Sequence, residues 1–185
     1  MRLPDLPMWA WVALGVVALG ALGVGGYAVS QRYTPGSQGA IDLLTAAAVK
    51  AGLPASWGSS EAAHKIMASE SGGWVGRPNY TFGAVKSPAM AAAWPAIWAR
   101  LRAGEIWTKS TATGLGQLLS SNAAKYYPSG LQGIGDPLEE AVGFLRYIAD
   151  RYGSPEVALS VYNKVGSYKH AITGAWKTKK FKEGY

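Results

Sequence analysis

Apolar and polar positions divide the chain into stretches of different character. Residues 8–30, MWAWVALGVVALGALGVGGYAVS, carry no charge. At about 1.5 Å per residue, a helix of that length reaches roughly 34 Å, enough to cross a hydrocarbon core of about 30 Å. No polar face interrupts it, so the pattern predicts a transmembrane helix over 8–30 behind a short flank, 1–7. Trp9, Trp11 and Tyr27 lie near its ends, where amphipathic aromatics favour the membrane interface. A cleaved signal peptide is the rival reading. Ala28-Val29-Ser30 has the small-residue look of a cleavage site, although the run is long for a signal core. Ala21 and Gly25 are spaced for close helix contact. Arg2 on one side and Arg32 and Lys50 on the other leave the orientation open.

After a polar stretch at 31–38 with a Pro-Gly breaker, read as a linker, the period changes to that of amphipathic helices. Residues 40–51 place Ile41, Leu44, Ala47 and Ala48 on one face. Ser59 or Ser60 caps a helix running to about Glu70, and 74–87 reads as loop. Pro88 opens the next helix, in which Trp94, Trp98 and Leu101 share a face and Pro95 is placed to kink it. Asp136 caps and Pro137 starts a strong helix to Tyr152, with Leu138, Val142, Leu145 and Ile148 on one side and Gly153 as its stop. Ser154-Pro155 repeats the start signal for a helix carrying Val157, Ala158, Val161 and Tyr162. The expectation is a mainly α domain over 39–170, followed by a basic tail, 171–185.

Composition narrows the partners. There is no cysteine and there are only two histidines, His64 and His170, so neither a disulfide nor a zinc site is expected, and no cofactor is implied. The net charge is +7, and residues 164–185 hold six lysines against Glu183. Such a tail suits anionic lipid or an anionic wall polymer, or it simply keeps the protein soluble. A nucleic-acid partner has no further support.

The chemistry concentrates at residues 67–73, MASESGG. Glu70 shares a helical face with Ala63, Ile66 and Met67, so it points towards apolar surroundings. Burial and a helix C-terminus both favour the neutral carboxyl, the property a general acid needs. The plainer alternative is a surface glutamate that ends a helix. From Ser71 to Gly104 there is no Asp or Glu. The nearby second carboxylate of a two-carboxylate glycosidase is therefore missing, with Glu105 and Asp136 as distant candidates.

Three motifs, in order, carry a resemblance. Glu70-Ser71-Gly72-Gly73, then Ala112-Thr113-Gly114-Leu115-Gly116-Gln117, then Ala158-Leu159-Ser160-Val161-Tyr162-Asn163 resemble the motifs of lysozyme-like lytic transglycosylases, over about residues 40–165. The stretches ATGLGQLLSSNAAKYYPSG and DPLEEAVGFLRYIADRYG look closest to transglycosylase domains of bacteriophage virion proteins. The resemblance implies a lysozyme-like helical domain behind the transmembrane helix, acting on peptidoglycan glycan strands. It implies Glu70 as the sole catalytic acid/base, closing a 1,6-anhydro ring on N-acetylmuramic acid. Gln117, Tyr162, Ser71 and Asn163 would be the substrate-side residues, Asn163 mainly by organising local hydrogen bonds. No metal is implied. Expected partners are the glycan strands, a lipid membrane through 8–30, and other virion or envelope proteins; the expected location is a virion membrane or a bacterial inner membrane.

The chain departs from the pattern in places. Gly116 stands where the family turn usually has Met, and Asn163 is followed by Lys164-Val165-Gly166. A long aromatic segment separates Glu70 from the turn, with Trp74, Tyr80, Phe82, Trp94, Trp98 and Trp107 in it. The family's serine before the turn has only Ser110 and Thr113 as candidates. Two other readings remain: a phage lysis enzyme with a releasable anchor, and a non-catalytic wall-binding or structural module.

Overall fold

The computed structural model describes residues 31–79, 88–106 and 110–171. The candidate membrane span 8–30, Tyr80, Phe82, Trp107 and the tail beyond 171 lie outside the described residues. Among the described residues no helix is long and apolar enough to cross a membrane.

The fold is mainly α. Helix α1 spans Gln38–Ala51, and Ser37 caps it by accepting from Ala40 N. A 3-10 turn at Ala55–Ser59 leads to α2, Glu61–Glu70, where Ser60 Oγ accepts from Ala63 N at 3.3 Å. Helix α3 is Trp94–Arg102, α4 Ser120–Tyr126, α5 Pro137–Tyr152 and α6 Pro155–Ala171. Strand pairing among the described residues is limited to isolated bridges.

The expected caps of α5 hold. Asp136 Oδ1 accepts from Glu139 N at 2.9 Å, and Gly153 ends the helix with φ +77°. Pro88 does not open a regular α-helix: residues 88–93 form 3-10 turns and α3 begins at Trp94. Pro95 therefore sits in the first turn, where its missing N–H costs nothing, and not at a kink.

Two apolar clusters meet on α5. Val142, Leu145 and Ile148 pack with Leu44, Ala47 and Ala48 of α1, Ile66 and Met67 of α2, Leu115, and Ala158 of α6. Tyr147 packs with Trp94, Trp98, Leu101, Leu118, Tyr126, Tyr127 and Ile134. The face read from the sequence is thus only part of what α5 buries; Glu140, Ala141, Gly143 and Phe144 are buried as well. The tryptophans of α3 are core, as their spacing indicated.

The stretch 31–38 is part of the domain rather than a free linker. Tyr33 N donates to Gly73 O at 2.8 Å and Val75 N to Gln31 O at 2.9 Å. An antiparallel bridge pairs Arg32 with Trp74. These backbone groups find partners in each other, which a solvated linker would leave to water.

Gly143 shows how tightly α5 is packed. A Cβ there would overlap the buried ring of Tyr127. Gly143→Ala is expected to lower unfolding stability by about 1–3 kcal/mol, the usual cost of overpacking, read as a fall in the urea midpoint with unchanged slope.

Candidate active site

Helix α2 ends at Glu70 because Ser71 and two glycines turn the chain. Gly72 N reaches back to Met67 O and Ala68 O, both at 3.1 Å. Gly72 and Gly73 have φ +66° and +80°, which a residue with a Cβ adopts only under strain. A Cβ on Gly73 would also overlap Tyr33 O of the paired strap.

Glu70 is half-buried, above the buried Ile66 and Met67 of its own helix. Burial raises its carboxyl from the ordinary 4.5 to about 7, and a hydrogen bond from Tyr162 pulls the other way. Tyr162 comes from α6, which packs on α2. Its own hydroxyl is raised by burial, then by the charge of Glu70. Two residues from separate motifs of the resemblance therefore meet. Among the described residues no second carboxylate bears on Glu70. Glu105 pairs with Arg100 at 2.7 Å and Asp136 caps α5, so neither distant candidate serves.

The turn at 112–117 is built from backbone bonds. Thr113 and Leu118 exchange N–H···O bonds, both 3.0 Å, and Gly114 N donates to Arg77 O at 3.0 Å. Gln117 lies at φ +47°. Its amide donates to Arg77 O at 2.7 Å and Gly114 O at 3.2 Å, and accepts from Asn79 at 3.4 Å. Gln117 thus ties the turn to the segment that follows Glu70. Gly116 has a structural reason: a Cβ there would stand 2.5 Å from Phe144 Cδ2, so α5 occupies the space that a Met would need.

The remaining candidates separate. Ser71 is buried; its hydroxyl donates to Met67 O at 3.3 Å and accepts from Gly73 N at 3.1 Å. It shapes the helix end and faces no solvent. Asn163 is exposed beside Tyr162 on α6. Ser110 Oγ accepts from Ala112 N at 3.3 Å, and Thr113 is buried. His64 is a satisfied core residue. Its Nδ1 accepts from Gly36 N at 3.1 Å, which leaves Nε2–H to donate to Gly58 O at 2.9 Å. Among the described residues no cluster of three or more His, Asp or Glu could hold a metal.

Sequence reasoning missed Glu140. It is fully buried, and its carboxylate accepts from Gly76 N at 2.9 and 3.0 Å, Leu115 N at 3.0 Å and Gly135 N at 2.7 Å. Burial pushes its carboxyl up to about 7 against those three N–H donors. Its position in DPLEEAVGF gave no signal, because a glutamate in the first turn of a helix is ordinary. Comparisons with protein-family models, with curated proteins and with solved structures return no match.

Glu140→Gln replaces an acceptor oxygen with an NH2 facing backbone N–H donors. The expected loss is about 3 kcal/mol of unfolding stability, measured by urea denaturation. Glu70→Gln should do the opposite. A folded-state pKa raised from 4.5 to about 7 means that folding favours the protonated acid. The stability this contributes is complete below 4.5 and is lost as pH rises through about 7. The Gln variant should therefore match wild type near pH 4 and exceed it by about 1–3 kcal/mol at pH 8, read from thermal melts at both pH values.

Proposed function

We propose that this protein is a membrane-anchored peptidoglycan lytic transglycosylase with a lysozyme-like helical fold, acting in local wall opening by a phage particle or its bacterial host. The observation that carries the reading is the pairing of Glu70, held as a weak acid near neutrality, with Tyr162, the two supplied by separate motifs of the resemblance.

The chemistry requires one carboxyl group. Protonated Glu70 gives its proton to the oxygen linking N-acetylmuramic acid to N-acetylglucosamine, and the C1–O bond breaks. The resulting carboxylate then takes the proton of the muramoyl 6-hydroxyl as O6 bonds to C1. The ring closes and no water is consumed. A pKa near the working pH serves both steps. Tyr162 supports the carboxylate half of the cycle, because its hydroxyl donates to the charged form. Gln117 acts by fixing the turn beside the site, and Asn163 is placed to meet substrate from the exposed side of α6.

The strap at 31–33, which follows the apolar segment 8–30 in the chain, pairs with the loop that follows Glu70. If 8–30 spans a bilayer, the acid works on glycan close to that bilayer.

The test uses the full-length chain and Glu70→Gln on purified peptidoglycan, with released sugars identified by mass spectrometry. Anhydro-muropeptides are expected from wild type, with at least about a hundredfold loss in the variant. Wild-type kcat/KM should fall on the alkaline side of about pH 7, where Glu70 loses its proton. Reducing-end products would replace ring closure with hydrolysis. No product from folded wild type would leave a wall-binding module.

A further inference from the structure

Two arginines close the C-terminal end of α2. Arg77 Nη1 donates to Ser71 O at 2.8 Å, and Arg32 Nε donates to Gly72 O at 3.1 Å. These carbonyls belong to consecutive residues directly after Glu70. The partly negative end of a helix attracts cations, and the carbonyls of the turn beside it take one N–H from each guanidinium. The other donors of each are not used in this way. The ion pairs among the described residues are Lys50–Glu139, Lys65–Glu61, Arg100–Glu105 and Lys125–Asp150; none involves Arg32 or Arg77.

Trp74 joins the two. Arg32 lies over its ring, 5.5 Å from the centroid. The ring is half-buried and set edge-on against buried Trp94 at 6.1 Å, which holds it in place. A Cβ on Gly72 would stand 3.7 Å from both Arg77 Nη1 and Trp74 Cδ1. Gly72, two residues from Glu70, thus lies beside both Trp74 and Arg77, and Arg32 completes the group over the Trp74 ring. Arg32 is exposed and Arg77 half-buried. The segment from 71 to 104 contains no acid to neutralise them.

Guanidinium groups flanking a fixed indole suit a planar carboxylate attached to an amphipathic chain. On the substrate proposed above, the muramoyl residue whose C1 must reach Glu70 also carries the peptide stem, with its free carboxylates. We propose that Arg32 and Arg77, across Trp74, bind the acidic stem peptide of that muramoyl residue and make the protein select peptide-bearing glycan. The assignment rests on the transglycosylase reading for its choice of ligand. It also gives the strap a role, since Arg32 enters the site only because residues 31–33 pair with the loop after Glu70.

The experiment compares full-length wild type, Arg32→Gln and Arg32→Lys on intact glycan strands and on strands stripped of peptide by an amidase. Wild type should favour the peptide-bearing strands by about tenfold in kcat/KM. That ratio should fall towards one in Arg32→Gln and recover in part in Arg32→Lys. A wild-type ratio near one, or an unchanged ratio in Arg32→Gln, overturns the assignment. Calorimetric titration of Glu70→Gln with a disaccharide tetrapeptide, with and without Arg32→Gln, separates binding from chemistry. Arg32-dependent binding without wild-type products retains the peptide site and rejects the transglycosylase. Binding that does not depend on Arg32 rejects the peptide site, whatever the products.

Discussion

The structure depends on a buried carboxylate. Glu140 takes N–H donors from Gly76, Leu115 and Gly135. These belong to the loop after α2, the turn before α4 and the approach to α5. None of these segments has a ladder or helix to occupy those N–H groups, and Gly76 and Leu115 are buried away from water, with Gly135 partly so. A buried N–H without a partner costs about as much as a hydrogen bond gains. One side chain therefore closes three loops at once. Trp98 extends the arrangement: its ring N–H donates to Gly76 O at 2.6 Å, so both backbone groups of Gly76 are held by buried side chains.

The site inherits its geometry from that anchor. Gly76 precedes Arg77, whose carbonyl receives Gly114 N and the amide of Gln117. Leu115 lies inside the same turn. With Glu140 fixing Gly76 and Leu115, the turn has one position relative to the end of α2. Glu70 sits at that end on the packing of Ile66 and Met67, and α6 brings Tyr162 to it. The two glutamates, one half-buried and one fully buried, do different work. Glu140 is surrounded by donors and organises backbone. Burial dominates at both and holds each proton to about 7; Glu70 has a single hydroxyl donor working against it, where Glu140 has three backbone N–H donors.

Helices were legible in the sequence where caps and periodicity agreed: Ser60 for α2, Asp136-Pro137 and Gly153 for α5. The meeting of Glu70 and Tyr162 was legible through motif order. What was not legible depended on contacts between distant segments. Glu140 looks like an N-terminal helix glutamate until the loops it serves are in place. The strap 31–33 looks like a polar linker, because backbone pairing with 73–75 leaves no mark on side-chain pattern. Gly116 reads as a missing side chain until Phe144 is seen in its place. Ser71 carried a substrate-side expectation that its burial does not match, since a small hydroxyl at a helix end serves the turn first.

The end of α2 then has a definite electrostatic logic. Helix carbonyls pointing at the Ser-Gly-Gly turn would raise the cost of any charge on Glu70. Two guanidinium groups bind the carbonyls of Ser71 and Gly72, in the turn just beyond the helix, yet neither figures among the causes that set the acidity of Glu70. The cations sit beside the helix end without drawing the proton off the acid. Residues 71–104 contain no Asp or Glu, so that segment offers Arg32 and Arg77 no carboxylate partner. A substrate that carries a glycosidic bond and, along a peptide branch, a free carboxylate would use the acid and the guanidinium groups at once.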